Sequence, residues 1–253
     1  HVDGWDDPRM PTLAGARRRG YTPEGFRRFA ERIGVSKENS LIDFSILEDC
    51  MREHLNEVAP RRMAVLDPLR LVIENFDAEK TDYVEIPNHP QKPDLGKRQV
   101  PFSRELWIER EDYEETPPKG YKRLAPGVEI RLRFGYVVKC IGMKDGAVRC
   151  TYYEDSRSGT PGADQYKPRG NIHWVSAKHA HAAKIRLYER LFAVPSPDSL
   201  DQLNPNSMKT ITALLEPSLK DAAAEERFQF ERKGYFVRDT AHGAFNRTVT
   251  LRD

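Results

Sequence analysis

Residues 128–150 read VEIRLRFGYVVKCIGMKDGAVRC, and the alternation in this stretch decides the fold class. Ile130, Leu132, Phe134, Tyr136 and Val138 fall on one face at period 2, and Arg131 and Arg133 share the other. Lys144-Asp145-Gly146 is hairpin turn chemistry, which makes Cys140 and Cys150 cross-strand neighbours in a core. Working outward, the same short extended grammar recurs at 71–73, 83–86, 105–108, 148–153, 172–175, 185–192 and 228–237. Proline-rich connections at 87–93, 117–118 and 195–205 separate these segments. This is the pattern of small β-sandwiches or barrels, not of alternating strand and helix units.

The first 60 residues follow a different period. Thr22-Pro23-Glu24 is an N-cap with proline at the first helical position, and Phe26, Phe29, Ala30 and Ile33 recur at helical spacing up to Gly34. Upstream, 11–19 ends in Arg17-Arg18-Arg19-Gly20, cations and glycine that suit a helix C-terminus. A third helix is predicted over 43–58, with Ile46, Leu47, Cys50, Met51 and Leu55 on one face and Ala59-Pro60 as its stop. The expected fold is mainly β with an N-terminal α-helical part.

Composition narrows the functional classes. A chain of 253 residues has room for a sizeable core, and its 24 aromatic residues argue against disorder. Mean hydropathy is −0.71 and no apolar run approaches membrane-spanning length, so no membrane partner is expected. Net charge is only +2, yet residues 117–150 hold eight basic and two acidic groups, whereas 38–60 hold one basic and six acidic. That asymmetry fits a basic surface facing an anionic partner, or a solvated mixed face. Three cysteines without a CxxC pair point to a reducing, cytoplasmic setting. The chain begins at His1 with no signal or transit sequence and is read as a fragment or processed piece.

Catalytic patterns are missing. There is no glycine-rich phosphate loop, GxSxG or HExxH. His173, His179 and His181 lie close in sequence but lack cysteine or carboxylate at ligand spacing, and Asp6-Asp7 beside Pro8 reads as a turn or cap. No catalytic residue and no metal site is assigned. Recognition of single-stranded RNA is the stronger physical reading, because unstacked bases are read by arginine and lysine on their edges and by flat side chains on their faces. Tyr121-Lys122-Arg123 with Arg131 and Arg133 supplies that combination, and Phe228-Gln229-Phe230-Glu231-Arg232 offers a second cluster. Each could equally be an amphipathic strand with a solvated polar face.

The sequence also resembles a known family. Gly4-Trp5-Asp6-Asp7-Pro8-Arg9-Met10-Pro11-Thr12 and Arg17-Arg18-Arg19-Gly20-Tyr21 are similar to the segment that follows the KMSKS-type signature in class I glutaminyl-tRNA synthetases and their glutamyl relatives. The likeness continues through Leu55-Asn56, Ala59-Pro60-Arg61, Asn88-His89-Pro90, 98–103, Tyr121-Lys122-Arg123-Leu124, 172–176, 217–221, 228–232 and 245–249, and so covers essentially the whole chain. It implies a helical connector at 1–60 and two β-barrels: a proximal one from 61–115 with 205–253, and a distal one at 116–204. The barrels would grip the anticodon loop of tRNA(Gln). By the resemblance, Arg61, Gln229 and Arg232 group around the middle anticodon base, Lys122 and Arg123 around the third, and Arg131 and Arg133 around the first. Asn56 falls near the loop nucleotides.

The family's HIGH and KMSKS-type motifs do not occur in this sequence. The resemblance therefore implies the C-terminal half of a cytoplasmic, monomeric, ATP- and Mg-dependent glutamine-tRNA ligase, with no cofactor in this part and no activity of its own. Two rivals stay open: the same region of a non-discriminating glutamyl enzyme, and a non-catalytic β-barrel interaction module.

Overall fold

A computed structural model describes residues 1–38 and 40–252. Three helices open the chain: α1 (Leu13–Arg19), α2 (Pro23–Ile33) and α3 (Phe44–Val58). The Thr22 cap is as read from the sequence, α1 starts at Leu13 where 11 was expected, and Thr12 and Asp43 cap the other two helices. Thr12, Thr22 and Asp43 accept backbone N–H groups of Gly15, Gly25 and Ser45, satisfying donors that the first turn leaves open. Gly20 closes α1 at φ 99°, and a Cβ there would lie 2.3 Å from the Thr248 hydroxyl, so conformation and space both demand glycine. On α2 the apolar stripe is only partly covered. Phe26 and Phe29 pack against the cluster of Tyr21, Leu47, Met51 and Leu55, whereas Ile33 is exposed, and Arg28 and Arg32 tie α2 to Glu57 and Glu53 of α3.

Among the described residues sixteen strands follow: β1 (Arg61–Arg62), β2 (Ala64–Val65), β3 (Pro68–Ile73), β4 (Asp82–Pro87), β5 (Lys97–Phe102), β6 (Glu105–Glu109), β7 (Glu129–Leu132) and β8 (Val137–Lys144). The rest are β9 (Ala147–Tyr152), β10 (Asn171–Ile172), β11 (Val175–Ser176), β12 (His181–Tyr188), β13 (Met208–Leu215), β14 (Arg227–Phe230), β15 (Gly234–Asp239) and β16 (Ala244–Val249). The architecture is mainly β with N-terminal helices.

The described residues form two compact units. The first comprises 1–61, 183–212 and 222–253. Its strands run in the order β1-β14-β15-β16-β12-β13, and α3 packs on them through Leu55 and Met51 against Tyr235 and Val249. Phe230 stacks on Phe236 with centroids 4.3 Å apart, and Phe228 and Phe245 complete the aromatic layer. The stretch 228–237 is expected as one strand. It is instead the hairpin β14–β15, turned by Arg232 at φ 66° and Gly234 at φ 138°.

The second unit comprises 62–182 and 213–221. Strand β13 runs on into it, where Leu214 and Leu215 pair with Val65 and Ala64. Its main sheet has the order β10-β7-β8-β9-β3-β6-β11, drawing strands from both 68–109 and 129–176, and β4 and β5 form a separate ribbon. Phe76, Phe102, Tyr136, Tyr152 and Trp174 interlock at centroid distances of 5.0–5.3 Å in the core beneath. The hairpin at Asp145-Gly146 forms as read, both residues having positive φ, and Cys140 faces Cys150 across it. The single strand expected over 128–143 does not form. Phe134 at φ 62° and Gly135 break it, and the turn is closed by Gly135 N–H donating to the Leu132 carbonyl at 2.7 Å. Ile130 and Val138 still share the buried face because they are register partners across β7 and β8.

Candidate nucleic-acid interface

In the first unit, candidate residues collect where α3 ends. Ala59-Pro60 stops the helix, and the Gln229 N–H donates to the Pro60 carbonyl at 2.9 Å, laying β14 beside β1. Arg61 is buried and turns back toward the helix. Its Nη1 donates to the Ala59 carbonyl at 2.7 Å, and its Nη2 to the carbonyl and side-chain oxygens of Asn56 at 2.9 and 2.8 Å. These last-turn carbonyls have no partner within a helix, so Arg61 caps α3 while locking the Asn56 amide. A second donor, the Tyr235 hydroxyl, reaches the same Asn56 oxygen at 3.3 Å. The exposed Asn56 side chain is therefore held in a fixed plane, the state in which an amide reads a base edge.

Gln229 faces Tyr235 across the β14–β15 ladder, and its Oε1 is buried with no hydrogen-bond partner among the described residues. Strand β14 ends at Phe230, so Gln229 and Arg232, three residues apart, are no longer bound to opposite faces of one strand. The corner thus joins Asn56, Arg61, Gln229 and Tyr235, with Arg232 in the turn of the same hairpin. Tyr235 is the residue that sequence reasoning missed. Reading Lys233-Gly234 as a turn would have placed it opposite Gln229.

The second unit holds the other two pairs. Tyr121–Leu124 is an irregular segment tied to 111–113: Leu124 N–H donates to the Asp112 carbonyl at 2.9 Å, and the Tyr121 hydroxyl to the Glu111 carbonyl at 3.1 Å. Burial pushes the Tyr121 hydroxyl up to about 12, so it remains a donor at neutral pH. Arg123 spans the same loop, with Nε 3.3 Å from the buried Asp112 carboxylate, and stays over one-third exposed. Lys122 is exposed, and its carbonyl lies against Gly170 so closely that a Cβ there would approach to 2.3 Å.

Gly170 also accepts from the Arg131 N–H at 2.9 Å, which brings Lys122-Arg123 and Arg131 to the same edge. The Arg131 guanidinium, however, points into the loop 156–163. Nη1 donates to the Ser156 carbonyl at 2.7 Å, the Gly135 carbonyl at 3.3 Å and the Ser158 hydroxyl at 3.1 Å, and Nη2 to the Ala163 carbonyl at 3.1 Å. Arg133 takes a different direction, its guanidinium 5.1 Å from the Phe134 ring centre and its carbonyl held by the Trp174 indole at 3.0 Å. The backbone keeps both on one face, since the Arg131 and Arg133 N–H groups donate to the Gly170 and Ile172 carbonyls at 2.9 and 2.8 Å, and only the guanidinium groups part.

The histidines do not converge: His173 is buried beside Glu109 at 3.3 Å, and His179 bonds Ser176 at 2.9 Å. Asp7 is a turn residue, accepting from Asp3 and Arg9 backbone N–H groups and from the Arg9 guanidinium.

Comparison with known proteins bears on this geometry. Residues 59–154 and 171–239 match two family models described as tRNA synthetases class I (E and Q), anti-codon binding domain. Residues 1–57 match the model for the catalytic domain of the same group. Proteins named glutamine–tRNA ligase are 57% identical in Ralstonia pickettii, 54% in Cupriavidus metallidurans and 54% in Nitrosomonas europaea, each alignment covering this whole chain. The chain spans about half the length of these curated relatives, 46% of the first two and 48% of the third.

Proposed function

Because the chain belongs to the class I tRNA synthetases of the glutamate and glutamine type and carries their anticodon-binding domain, we propose that it serves a glutamine-tRNA ligase by reading the anticodon of tRNA(Gln). The whole protein would join glutamine to that tRNA with ATP and Mg. These residues contain neither HIGH nor a KMSKS-type motif, so adenylate formation is assigned to residues outside them and the chain alone is inactive. The relatives' names favour glutamine over glutamate.

The observation that carries this reading is the corner at the end of α3, where Arg61 and Tyr235 fix the exposed Asn56 amide and Gln229 presents a buried acceptor. Planar, pre-oriented hydrogen-bonding groups suit unstacked bases. In this proposal Arg61, Gln229 and Arg232 serve the middle base, and Lys122 and Arg123 the third. Arg133 meets the first, with Arg131 acting through the loop it holds.

Anticodon stem-loops with the glutamine triplet and with single changes, titrated by fluorescence anisotropy, test it. Arg123→Ala should remove about 1–3 kcal/mol of discrimination at one position, while log affinity falls with log salt at a slope of about −0.7 per phosphate neutralised. Equal loss for cognate and altered anticodons would reduce Arg123 to a backbone contact and sink the assignment.

The partition into 1–60, 61–115 with 205–253, and 116–204 is a proposal that follows from the family resemblance, and the proline connections at 117–118 and 195–205 are compatible with it. The sheet that draws on both 68–109 and 129–176 favours one body there, and limited proteolysis at 117–118 decides between them. A cytoplasmic setting, supported by three free thiols, and a monomeric state belong to the same reading.

A further inference from the structure

A pocket of about 360 Å³ in the first unit lies away from the α3 corner, where α3 begins and the chain ends. Arg19, Arg190, Arg247 and Arg252 line it, against two carboxylates, Glu48 and Glu189. Glu48 is engaged by Arg190 through both oxygens at 2.7 and 2.9 Å and stands 3.9 Å from Arg19. Glu189, mostly exposed, takes Arg247 at 2.9 Å. Four cations and two anions leave a local excess of two positive charges in a small polar recess.

How the arginines are held matters as much as their number. Arg19 and Arg247 both lean on one carbonyl, that of Tyr188, each at 3.5 Å. Arg19 is nine-tenths buried, its guanidinium 5.8 Å from the Tyr21 ring centre and 5.6 Å from that of Tyr188, and Arg190 lies 4.3 Å from the Phe44 ring centre. Aromatic faces fix the guanidinium planes without neutralising them. Burial pulls the Arg247 pKa down, and the neighbouring Arg19 charge pulls the same way. The start of α3 adds no claim of its own, since Asp43 already caps it.

Converging guanidinium forks that outnumber their carboxylates are the arrangement that grips a phosphate through paired N–H···O bonds. We propose that Arg19, Arg190, Arg247 and Arg252 form a phosphate-binding pocket separate from the anticodon residues, taking either a phosphodiester of bound RNA or a free inorganic phosphate.

The 253-residue chain tests this directly, with inorganic phosphate as the probe against sodium chloride at equal ionic strength, read by calorimetry and thermal shift. Phosphate should bind and raise Tm beyond the chloride control. Arg247→Gln with Arg252→Gln should weaken it by about ten-fold or more. Glu189→Gln, an exposed change that leaves the core alone, should tighten it by freeing Arg247. Chloride stabilising as well as phosphate, or Arg252→Gln and Glu189→Gln both leaving phosphate affinity unchanged, overturns the pocket.

A second arm names the source. If Arg252→Gln weakens both phosphate and a tRNA(Gln) transcript, and does so alike for glutamine and altered anticodons, the ligand is an RNA phosphate. If only phosphate binding weakens, the ligand is free phosphate. The phosphate arm stands whether or not the anticodon reading does.

Discussion

Replacing Arg131 by alanine separates two roles that its position on β7 leaves open. The guanidinium makes four hydrogen bonds, to the carbonyls of Ser156, Gly135 and Ala163 and to the Ser158 hydroxyl, and thereby staples the loop 156–163 to the β7–β8 turn. A hydrogen bond to a charged group contributes about 1.5–3 kcal/mol, and water can replace part of the set at this half-buried site, so Arg131→Ala should cost about 2–4 kcal/mol. Burial lowers the pKa of this arginine, but its carbonyl partners hold it with two nitrogens that lysine cannot supply, so Arg131→Lys should recover little. Arg133→Ala, whose guanidinium lies by the Phe134 ring, should cost less than Arg131→Ala. Urea unfolding followed by tryptophan fluorescence is the assay, because the Trp174 indole donates to the Arg133 carbonyl and reports on this turn. Hydrogen exchange over 153–166 locates the loss. An Arg131→Ala variant within about 0.5 kcal/mol of wild type, with unchanged exchange there and RNA binding gone, would refute the staple and return Arg131 to direct base contact.

Three further outcomes are expected from the same structure. Leu132 is fully buried between the β7–β8 turn and Trp174, and Leu132→Ala should cost about 2–5 kcal/mol in the same urea experiment. Gly170→Ala drives a Cβ into the Lys122 carbonyl, so it should cost about 1–3 kcal/mol and weaken stem-loop binding by shifting Lys122 and Arg123. Burial raises the Asp7 carboxyl, but hydrogen bonds from Arg9 and from the Asp3 and Arg9 backbone outweigh it and bring the pKa down to about 2. A depressed carboxyl stabilises the fold above its unfolded value and loses that contribution as pH falls through its folded one. The acid limb of stability between about pH 4 and about pH 2 should therefore flatten in Asp7→Asn, as pH-dependent urea midpoints will show.

What the sequence determined by itself was local. The Thr22 cap, Pro23, the Arg-Gly end of α1 and the 3.6-residue stripes place three helices within a residue or two, and Asp145-Gly146 sets the β8–β9 hairpin, although a bulge between Cys140 and Gly142 is what brings Cys140 opposite Cys150. These features depend on neighbours a few residues away, whose steric and hydrogen-bonding preferences act in any context. Strands β5, β13 and β16 are not among the segments read from the sequence; β5 carries Pro101 and exposed Lys97 and Gln99, and β13 and β16 complete their pairing through β2 and β12, which local pattern does not reveal. The site was legible in residue types, through Arg61, Arg123 and Gln229, but not in roles. Period 2 puts Arg131 and Arg133 on one face, and from that face one guanidinium reaches a loop twenty-five residues away while the other lies by the Phe134 ring, a choice no period contains. Asn56 and Tyr235 are 179 residues apart, and Arg19 and Arg247 share the Tyr188 carbonyl across three distant segments. Only chain closure chooses such partners, because a guanidinium bonds to whatever carbonyl or carboxylate the packed backbone carries to it, and no local period encodes that choice.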